Sequence, residues 1–381
     1  MLEHLLFPYK VEQFLQENWT RLAVHIPACD RHKFADVFSW RSLNHLLNFH
    51  QLGDPNIHFS LDGKSFSDMS RKHWRDYLQQ GATLVINGID ERVPEVQQLA
   101  RGLSQEIGHR VQTNLYCSPA MQRGFSCHYD THDVMILQIE GDKQWFVFPE
   151  TVSFPTAEMR SSDRQPPDAP PYLQCNLQQG DLLYIPRGHW HYAIAGDCPS
   201  LHLTVGIDCF TGLHWLNWLN LDLQEQTGWR QNLPLVMNGD SQDLEQHLED
   251  LRQQLIKHLQ QPDLFKKYLR DLPIQNQDVA PFSLPTQLGF NIFDRGLESA
   301  FTFVPHQQIE IAIFDDQHQE ITCGSKQISI KGLPIDFIQQ LFQLTHFSIL
   351  DLADFAPDLD LETEVVPLLT RLVTEGILLV D

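Results

Sequence analysis

The pattern of apolar and polar residues divides the chain into three parts with different secondary structure. Over residues 1–100 apolar residues at helical spacing predict a helix at 11–19 and another at 91–107. Short apolar runs at 22–26 and 83–86 predict strands between these helices. The first part of the chain therefore combines helix with sheet.

Residues 111–209 have the pattern of a β domain. Short apolar runs such as VMILQIEG and WHYAIAG are separated by glycine, proline and aspartate, which predicts several strands in a sandwich or barrel. One stretch, RSSDRQPPDAPP at 160–171, is polar and rich in proline and is predicted to be a loop. The loop is either an inert surface excursion or a flap over a site, because long loops often carry function.

Beyond residue 210 the pattern becomes helical. Leucines repeat by threes and fours in a glutamine-rich stretch, at Leu244, Leu248, Leu251, Leu255 and Leu259. One face of the predicted helix is therefore apolar, and burial within the subunit and a seam between two copies explain it equally well. The tail mixes strands and helices in a winged-helix-like order. We divide the chain into residues 1–210, a helical segment at 211–283 that is a candidate for dimerisation, and a winged-helix-like domain at 284–381.

Composition narrows the class of partner. The chain has 381 residues, with 27 lysines and arginines against 49 aspartates and glutamates, so its formal net charge is −22. A charge of this sign repels the phosphate backbone of nucleic acids. We therefore do not expect direct nucleic-acid binding, and we expect a macromolecular partner to be basic.

Cysteine usage and hydropathy indicate the compartment. The seven cysteines include no CxxC pair, which excludes a zinc ribbon and a thioredoxin-type motif and favours reducing surroundings. The first residues lack the basic and apolar regions of a signal peptide, and no apolar run reaches the length of a membrane span. We expect a cytoplasmic protein without a membrane partner.

The most informative segment for chemistry is GFSCHYDTHDVMILQIEGDKQWFVF at 124–148. Residues two positions apart on a strand project to the same face, so His128 and Asp130 point together while Tyr129 points away. A neutral imidazole and a carboxylate on one face form two of the three ligands of a 2-His-1-carboxylate triad, which leaves coordination positions of Fe(II) open. A lone HxD is common by chance, so a third ligand is needed.

The segment GDLLYIPRGHWHYAIA at 180–195 supplies that ligand. Its spacing is similar to the second metal motif of the cupins, in which a Pro–Gly turn directs the following strand into the barrel, so we expect His191 to be the ligand in preference to His189. A standard cupin has HxH followed three or four residues later by a glutamate; here Asp130 replaces the second histidine, and Val134 and Met135 stand where the glutamate would be. The site is thus a triad with room for a bidentate co-substrate and dioxygen. We expect His132 and His202 to be structural or solvated.

Lys143 lies 13 residues after Asp130, beyond a predicted turn at Gly141 and Asp142. We place Lys143 in the same hairpin as Asp130, facing inward. A buried lysine is costly unless it is paired, and its natural partner here is the distal carboxylate of 2-oxoglutarate, whose other end chelates iron. The alternative is an ordinary surface lysine.

At this point the residues resemble those of a known family. His128-Tyr129-Asp130, Lys143 and His191, with NLYCSP upstream and SLHLTV downstream, are similar to the JmjC branch of the 2-oxoglutarate oxygenases, and most similar to the ribosomal oxygenases and related bacterial JmjC cupin-like proteins. The resemblance covers residues 1–210; the remainder matches only in the order of its segments. It implies an α+β fold whose catalytic part is a double-stranded β-helix (cupin or jelly-roll, JmjC-type) barrel with N-terminal helices.

The resemblance also implies roles for individual residues. In the family the residues that match His128, Asp130 and His191 bind Fe(II), and the residue that matches Lys143 binds the C5 carboxylate of 2-oxoglutarate. Asn114 matches an asparagine that lines the family's active site, although the role of a strand-end amide is equally open. No catalytic residue is predicted beyond the metal ligands.

Four residues near these motifs are further candidates. Ser200 and Thr204 lie on the strand after the second motif and could donate hydroxyl groups to 2-oxoglutarate, with core or edge positions equally open. Tyr116 and Trp190 are candidates for the mouth of the site, although aromatic residues more often belong to the core.

Two function classes follow. The first is a dioxygenase that uses Fe(II), 2-oxoglutarate and O2 to hydroxylate an arginine or histidine side chain of a basic protein, with a ribosomal protein as the expected example. A JmjC oxygenase acting on methyl-lysine, tRNA or a small molecule is the variant of this class. The second is a non-catalytic cupin-like protein that binds metal or a partner.

Overall fold

The computed structural model describes residues 1–53, 55–237, 240–272, 282–304, 309–315, 317–323 and 326–381. The chain forms two compact units, Met1–Trp215 and Leu216–Asp381. The predicted boundaries after residues 210 and 283 stay predictions, and residues 273–281 of the predicted helical segment lie outside the described residues.

The first unit begins with helices that cover a sheet. Its helices are α1 Leu2–Leu6, α2 Val11–Glu17, α3 Trp40–Phe49, α4 Arg71–Gln79 and α5 Pro94–Ile107. The longest, α5, has a proline in its first turn, where the missing N–H costs nothing, and ends at Gly108, which adopts the left-handed conformation typical of a helix C-terminus. The two helices predicted in this region are confirmed, with α5 starting three residues later than expected because a 3₁₀ turn, Ile89–Glu91, precedes it.

The strands of the first unit form two antiparallel sheets. They are β1 Val24–Ile26, β2 Ile57–Leu61, β3 Lys64–Ser65, β4 Thr83–Ile86, β5 Arg110–Ser118, β6 Asp133–Glu140, β7 Lys143–Glu150, β8 Leu173–Leu177, β9 Leu182–Ile185, β10 His189–Ala195 and β11 Ser200–Asp208. The large sheet has the order β1-β9-β6-β11-β5-β4-β2-β3 and the small sheet the order β10-β7-β8. The prediction of an α+β fold with a β domain is confirmed.

Aromatic packing joins the N-terminal helices to the large sheet. Tyr184 of β9 is fully buried; the ring of Phe14 from α2 meets it edge-on at 4.9 Å, and Trp19 stacks on it at 5.8 Å. Aromatic pairs of this kind add about 0.5–1.5 kcal/mol to the burial of their surface. The helices therefore belong to the same core as the sheet.

The connection from β6 to β7 corrects one expectation. These strands are not partners in a hairpin: β6 lies in the large sheet and β7 in the small one. Gly141 makes the corner with a φ of +68°, and a Cβ atom there would lie 2.2 Å from the carbonyl oxygen of Pro199. The chain therefore needs glycine at this corner, and Lys143 enters the barrel from the small sheet.

The second unit combines helices with two three-stranded sheets. Its elements are α6 Gly212–Leu223, which begins just before the unit boundary, α7 Thr227–Arg230, α8 Gln242–Leu259, α9 Leu264–Arg270, β12 Ala300–Phe303, β13 Ile309–Asp315, β14 His318–Cys323, β15 Lys326–Lys331, α10 Ile335–Leu341, β16 His346–Ser348, α11 Ile349–Phe355, α12 Val366–Thr374 and β17 Leu378–Val380. The sheets have the orders β16-β12-β17 and β13-β14-β15. The helical stretch that bears the leucine stripe is confirmed as α8, while the winged-helix assignment stays a prediction.

The leucine stripe is not buried within the described part of its unit. Leu248 and Leu259 are exposed, and Leu244, Leu251 and Leu255 are half-buried. Among the residues that the structure describes, no helix is both long and apolar enough to cross a membrane.

Candidate metal centre

Two chain segments meet to bring the three predicted metal ligands together. His128 and His191 form an antiparallel bridge in which each backbone N–H donates to the other residue's carbonyl oxygen, at 3.1 Å from His128 and 2.7 Å from His191. Asp130 lies two residues after His128, so that its carboxylate points to the same side. Ligand atoms of the three residues all lie within 4.8 Å of one another.

The geometry of these side chains suits a divalent metal. Asp130 Oδ1 lies 4.0 Å from His128 Nε2, and Asp130 Oδ2 lies 3.5 Å from His191 Nε2. The Nδ1 of His128 lies 2.8 Å from the carbonyl oxygen of Ser126, and the Nδ1 of His191 lies 3.0 Å from that of His189. A carbonyl oxygen can only accept, so each Nδ1 carries the proton and each Nε2 lone pair is free for a metal.

The electrostatics of the triad keep it in its ligating form. Burial, reinforced by His128, lowers the pKa of His191 to about 4, so its imidazole is neutral at neutral pH. Burial alone would raise the pKa of Asp130, but the neighbouring histidines outweigh it and lower the pKa. A carboxylate and neutral imidazoles are the donor set of a 2-His-1-carboxylate iron site. The three residues therefore fit the metal that the sequence predicts.

The triad opens into a cavity of about 270 Å³. The cavity is lined by Tyr116, Gly124, Phe125, His128, Asp130, Val134, Ile136, Lys143, Trp145, His191, Tyr192, Ala193, His202 and Thr204. Both sheets contribute to this wall, since Val134 and Ile136 lie on β6 and Lys143 and Trp145 on β7.

Lys143 is a buried cation in this wall. Its side chain is on the inward face of β7 with Trp145 and Val147, and only 5% of the residue is exposed. Lys143 Nζ donates to Ser118 Oγ at 3.0 Å, and Ser118 Oγ lies 2.9 Å from Thr83 Oγ1. Burial lowers the pKa of Lys143 to about 8, and within the described ranges no carboxylate lies at ion-pair distance from it. The site therefore suits an anionic ligand that supplies the missing charge.

The other predicted cofactor residues lie in different places. Thr204 of β11 lines the cavity. Asn114 is its cross-strand partner on β5, but the Asn114 side chain accepts a hydrogen bond from Gly88 N–H at 3.1 Å and is not among the lining residues. Ser200 is fully buried and accepts from Gln138 Nε2 at 2.8 Å. The structure thus brings Thr204 to the site and places Asn114 and Ser200 in the strands behind it.

The aromatic wall includes residues that sequence reasoning missed. His202, expected to be structural or solvated, is buried and stacks on Tyr116 at 4.9 Å. Trp145 meets His202 edge-on at 5.8 Å. Trp145 Nε1 and His202 Nδ1 are buried and have no protein partner among the described residues, which leaves a donor and a nitrogen free for a ligand. Because Trp145 lies two residues after Lys143 on β7, an inward-facing Lys143 predicts that Trp145 also faces inward. This signal could have identified Trp145 from the sequence.

Tyr129 and Trp190, which each adjoin a predicted metal ligand in sequence, form hydrogen bonds to the segment 151–159. Tyr129 OH donates to the carbonyl oxygen of Met159 at 2.7 Å, and Trp190 Nε1 donates to Thr151 Oγ1 at 2.9 Å. Trp190 is therefore a core residue and not part of the mouth. His189 is also occupied, because its Nδ1 lies 2.7 Å from Tyr172 OH, so His191 is the histidine of this strand that joins the triad. Beyond Met159, the loop at 160–171 contains a 3₁₀ turn, Ser161–Asp163.

Comparison with known proteins agrees with this fold. Residues 91–213 match the family model described as the JmjC domain. It is similar to ribosomal oxygenase 1 of Gallus gallus, 28% identical over 269 residues, which are 63% of this chain and 44% of the relative. It is also similar to ribosomal oxygenase 2 of Mus musculus, 32% identical over 216 residues, which are 53% of this chain and 46% of the relative. The chain spans about half the length of the curated relatives it matches.

A solved structure has a similar fold. The ribosomal oxygenase YcfD from Escherichia coli, in complex with cobalt and 2-oxoglutarate, superposes with a TM-score of 0.61 at 18% identity and covers 98% of this chain and 99% of that one. The JmjC cupin fold predicted from the sequence is confirmed by the domain match and by this superposition.

Proposed function

We propose that this protein is a 2-oxoglutarate-dependent non-haem iron dioxygenase. The observation that carries the proposal is the convergence of His128, Asp130 and His191 in the same cavity as Lys143, a buried cation without a carboxylate partner in the described part of the chain. Metal ligands of this type leave positions open for a chelating co-substrate. The relative with cobalt and 2-oxoglutarate bound has the same fold.

The proposal gives separate roles to the cavity residues and to the residues behind them. His128, Asp130 and His191 hold Fe(II), which when bound supplies oxygen activation coupled to the decarboxylation of 2-oxoglutarate. Lys143 and Thr204 bind the C5 carboxylate, with Ser118 orienting the ammonium group. Asn114 and Ser200 contribute through the strands that they stabilise. Other lining residues, among them Trp145, exclude water from the reacting atoms.

The proposed substrate is an arginine or histidine side chain of a basic protein, with a ribosomal protein as the leading case. Two observations support this choice: the net charge of −22, which attracts basic partners, and the names of the relatives, which are ribosomal oxygenases. A cytoplasmic location, where ribosomal proteins are made, belongs to the same proposal.

Methyl-lysine is the second candidate substrate. It is favoured by relatives named bifunctional lysine-specific demethylase and histidyl-hydroxylase NO66, one of which, from Drosophila persimilis, is 25% identical over 325 residues. Removal of a methyl group proceeds through hydroxylation of that group, so the same site serves both reactions.

The test is turnover with defined substrates. Purified protein with Fe(II), 2-oxoglutarate and fractionated ribosomal proteins should form succinate faster than without the fraction, and one protein should gain the mass of an oxygen atom on an arginine or histidine. D130A and H191A should abolish both signals. Loss of a methyl group from a lysine peptide would favour demethylation, while absence of stimulated turnover with every fraction would reject the ribosomal substrate.

We also propose that the chain forms a homodimer through the leucine stripe of α8. The exposure of Leu248 and Leu259 supports this, because an apolar stripe of this length is seldom left in water.

A further inference from the structure

The ladder between β6 and β9 ends at Ile185, six residues before His191. Val134 pairs with Ile185, and the next residue on that strand is Pro186. Proline has no N–H and cannot continue a ladder. Beyond it, the N–H of Arg187 donates instead to the side chain of Asp133, at 3.1 Å from Oδ1.

Asp133 is itself held from the opposite side. Tyr184 OH donates to Asp133 Oδ2 at 2.6 Å and accepts from the N–H of Thr20 at 2.8 Å. Asp133 and Tyr184 are fully buried. Burial and the Asp133 carboxylate raise the pKa of Tyr184 far above its usual value, so the phenol stays protonated and remains a donor.

The turn at Arg187 and Gly188 is hydrogen-bonded to two residues near the first metal motif, Asp130 and Asp133. Gly188 N–H donates to the carbonyl oxygen of Asp130 at 3.0 Å, and Arg187 N–H donates to Asp133. Gly188 has a φ of +87°, and a Cβ there would lie 2.6 Å from the carbonyl oxygen of Val152, so the turn has little room to move. His191 follows Gly188 by three residues.

We propose that Asp133 is a positioning residue that sets the place of His191 relative to Asp130, with Tyr184 as its anchor. Both groups that face its two oxygens are donors, so the position needs two acceptors, which a carboxylate has and an amide does not. The role rests on the proposed metal centre, because it acts through the ligand strand and not on the substrate.

The experiment compares variants that remove this link with matched variants elsewhere. D133N and Y184F weaken it. D181N is the control for the first: Asp181 also accepts from two backbone N–H groups, those of Ala28 at 2.8 Å and Gln178 at 3.0 Å, and lies at the other end of β9. Y77F, which removes an exposed hydrogen bond from a tyrosine OH to Asp68, is the control for the second.

Two readouts separate positioning from general stability. The first is Co(II) affinity, followed by absorbance: D133N and Y184F should bind about 10- to 100-fold more weakly, while D181N and Y77F bind as wild type does. The second is hydrogen exchange of the peptide covering 186–191 in metal-free protein, which should be faster only in D133N and Y184F.

The outcomes are distinct. If Y184F bound Co(II) and exchanged hydrogen as the wild-type protein does, the proposal would be overturned, whether or not D133N folds. A loss of Co(II) affinity in D181N as large as that in D133N would also overturn it. If wild-type protein bound no Co(II), the proposed function would fail, while the exchange comparison would still decide whether Asp133 holds the strand.

Discussion

Lys143 Nζ and Ser118 Oγ lie 3.0 Å apart inside the barrel, and this hydrogen bond links the small sheet to the large one. A hydroxyl group is neutral, so the ammonium charge of Lys143 stays uncompensated until an anion binds. That imbalance gives the site a pH dependence and a stability cost, and each can be measured.

The affinity for 2-oxoglutarate should fall at alkaline pH. The pKa of Lys143 is about 8 in the ligand-free protein, and a bound carboxylate raises it, so binding takes up a proton above that pH. The dissociation constant should be flat below pH 8 and rise by up to about tenfold per pH unit above it. Calorimetric titration of protein loaded with a redox-inert metal measures this.

The control for that experiment is K143R. Its guanidinium stays charged across the whole range, so any affinity that remains should not depend on pH in this way. A flat profile for the wild-type protein would contradict the role of Lys143.

Replacing Lys143 with methionine should stabilise the protein while it abolishes 2-oxoglutarate binding. Folding lowers the pKa of Lys143 from 10.5 to about 8, so between these values the unfolded chain binds more protons and the free energy of unfolding falls as the pH decreases. Below pH 8 the cost of the charge is fully present, on the order of 3 kcal/mol. In urea denaturation at pH 7, K143M should gain about 1–3 kcal/mol, and the gain should shrink toward pH 10.

The exposed Lys64 gives the comparison for that variant: K64M should change the free energy of unfolding little. A destabilised K143M would show that the lysine stabilises the ligand-free fold instead of straining it.

The corner at Gly141 should tolerate no side chain. An alanine there meets both a left-handed φ of +68° and the carbonyl oxygen of Pro199 at 2.2 Å, whereas Gly108 has a φ of +70° and open space around it. G108A should cost about 1–2 kcal/mol from backbone strain alone. G141A should cost clearly more in the same denaturation experiment; equal costs would mean that the corner relaxes freely.

The leucine stripe of α8 should control the oligomeric state. L248D and L259D together should convert a dimer into a monomer in light scattering after size exclusion, because a charge in an apolar seam is costly. The exposed Gln246 and Gln253 lie on the same helix, and aspartates there should leave the mass unchanged. A monomeric wild-type protein would reject the proposed dimer.

The metal-ligating residues were easier to predict from the sequence than the residues that surround them. His128, Asp130 and His191 could be predicted because strand alternation and a Pro–Gly turn are local rules. Ser118 could not, because its contact with Lys143 depends on which strands face each other across the barrel. The expected hairpin at Gly141 was wrong for the same reason: a glycine turn has the same local sequence whether the chain returns along its own sheet or crosses to another.

Alternation predicts the face of a residue but not its contacts. β11 pairs with β5 without a break from Ser200 to Asp208, so Ser200 and Thr204 share a face. Thr204 lines the cavity, whereas Ser200 is bonded to Gln138 of β6. That hydrogen bond depends on which strand lies beside β11, and no sequence pattern in this stretch predicts it.

Tyr129 and Trp190 each adjoin a metal ligand and bond to the segment that contains Thr151 and Met159. That segment therefore cannot drift independently of the metal motifs, however far it lies from them along the chain. Insertions or substitutions at residues 151–159 should therefore disturb the proposed metal site even though they lie outside it, and a redesign of this segment has to retain these two hydrogen bonds.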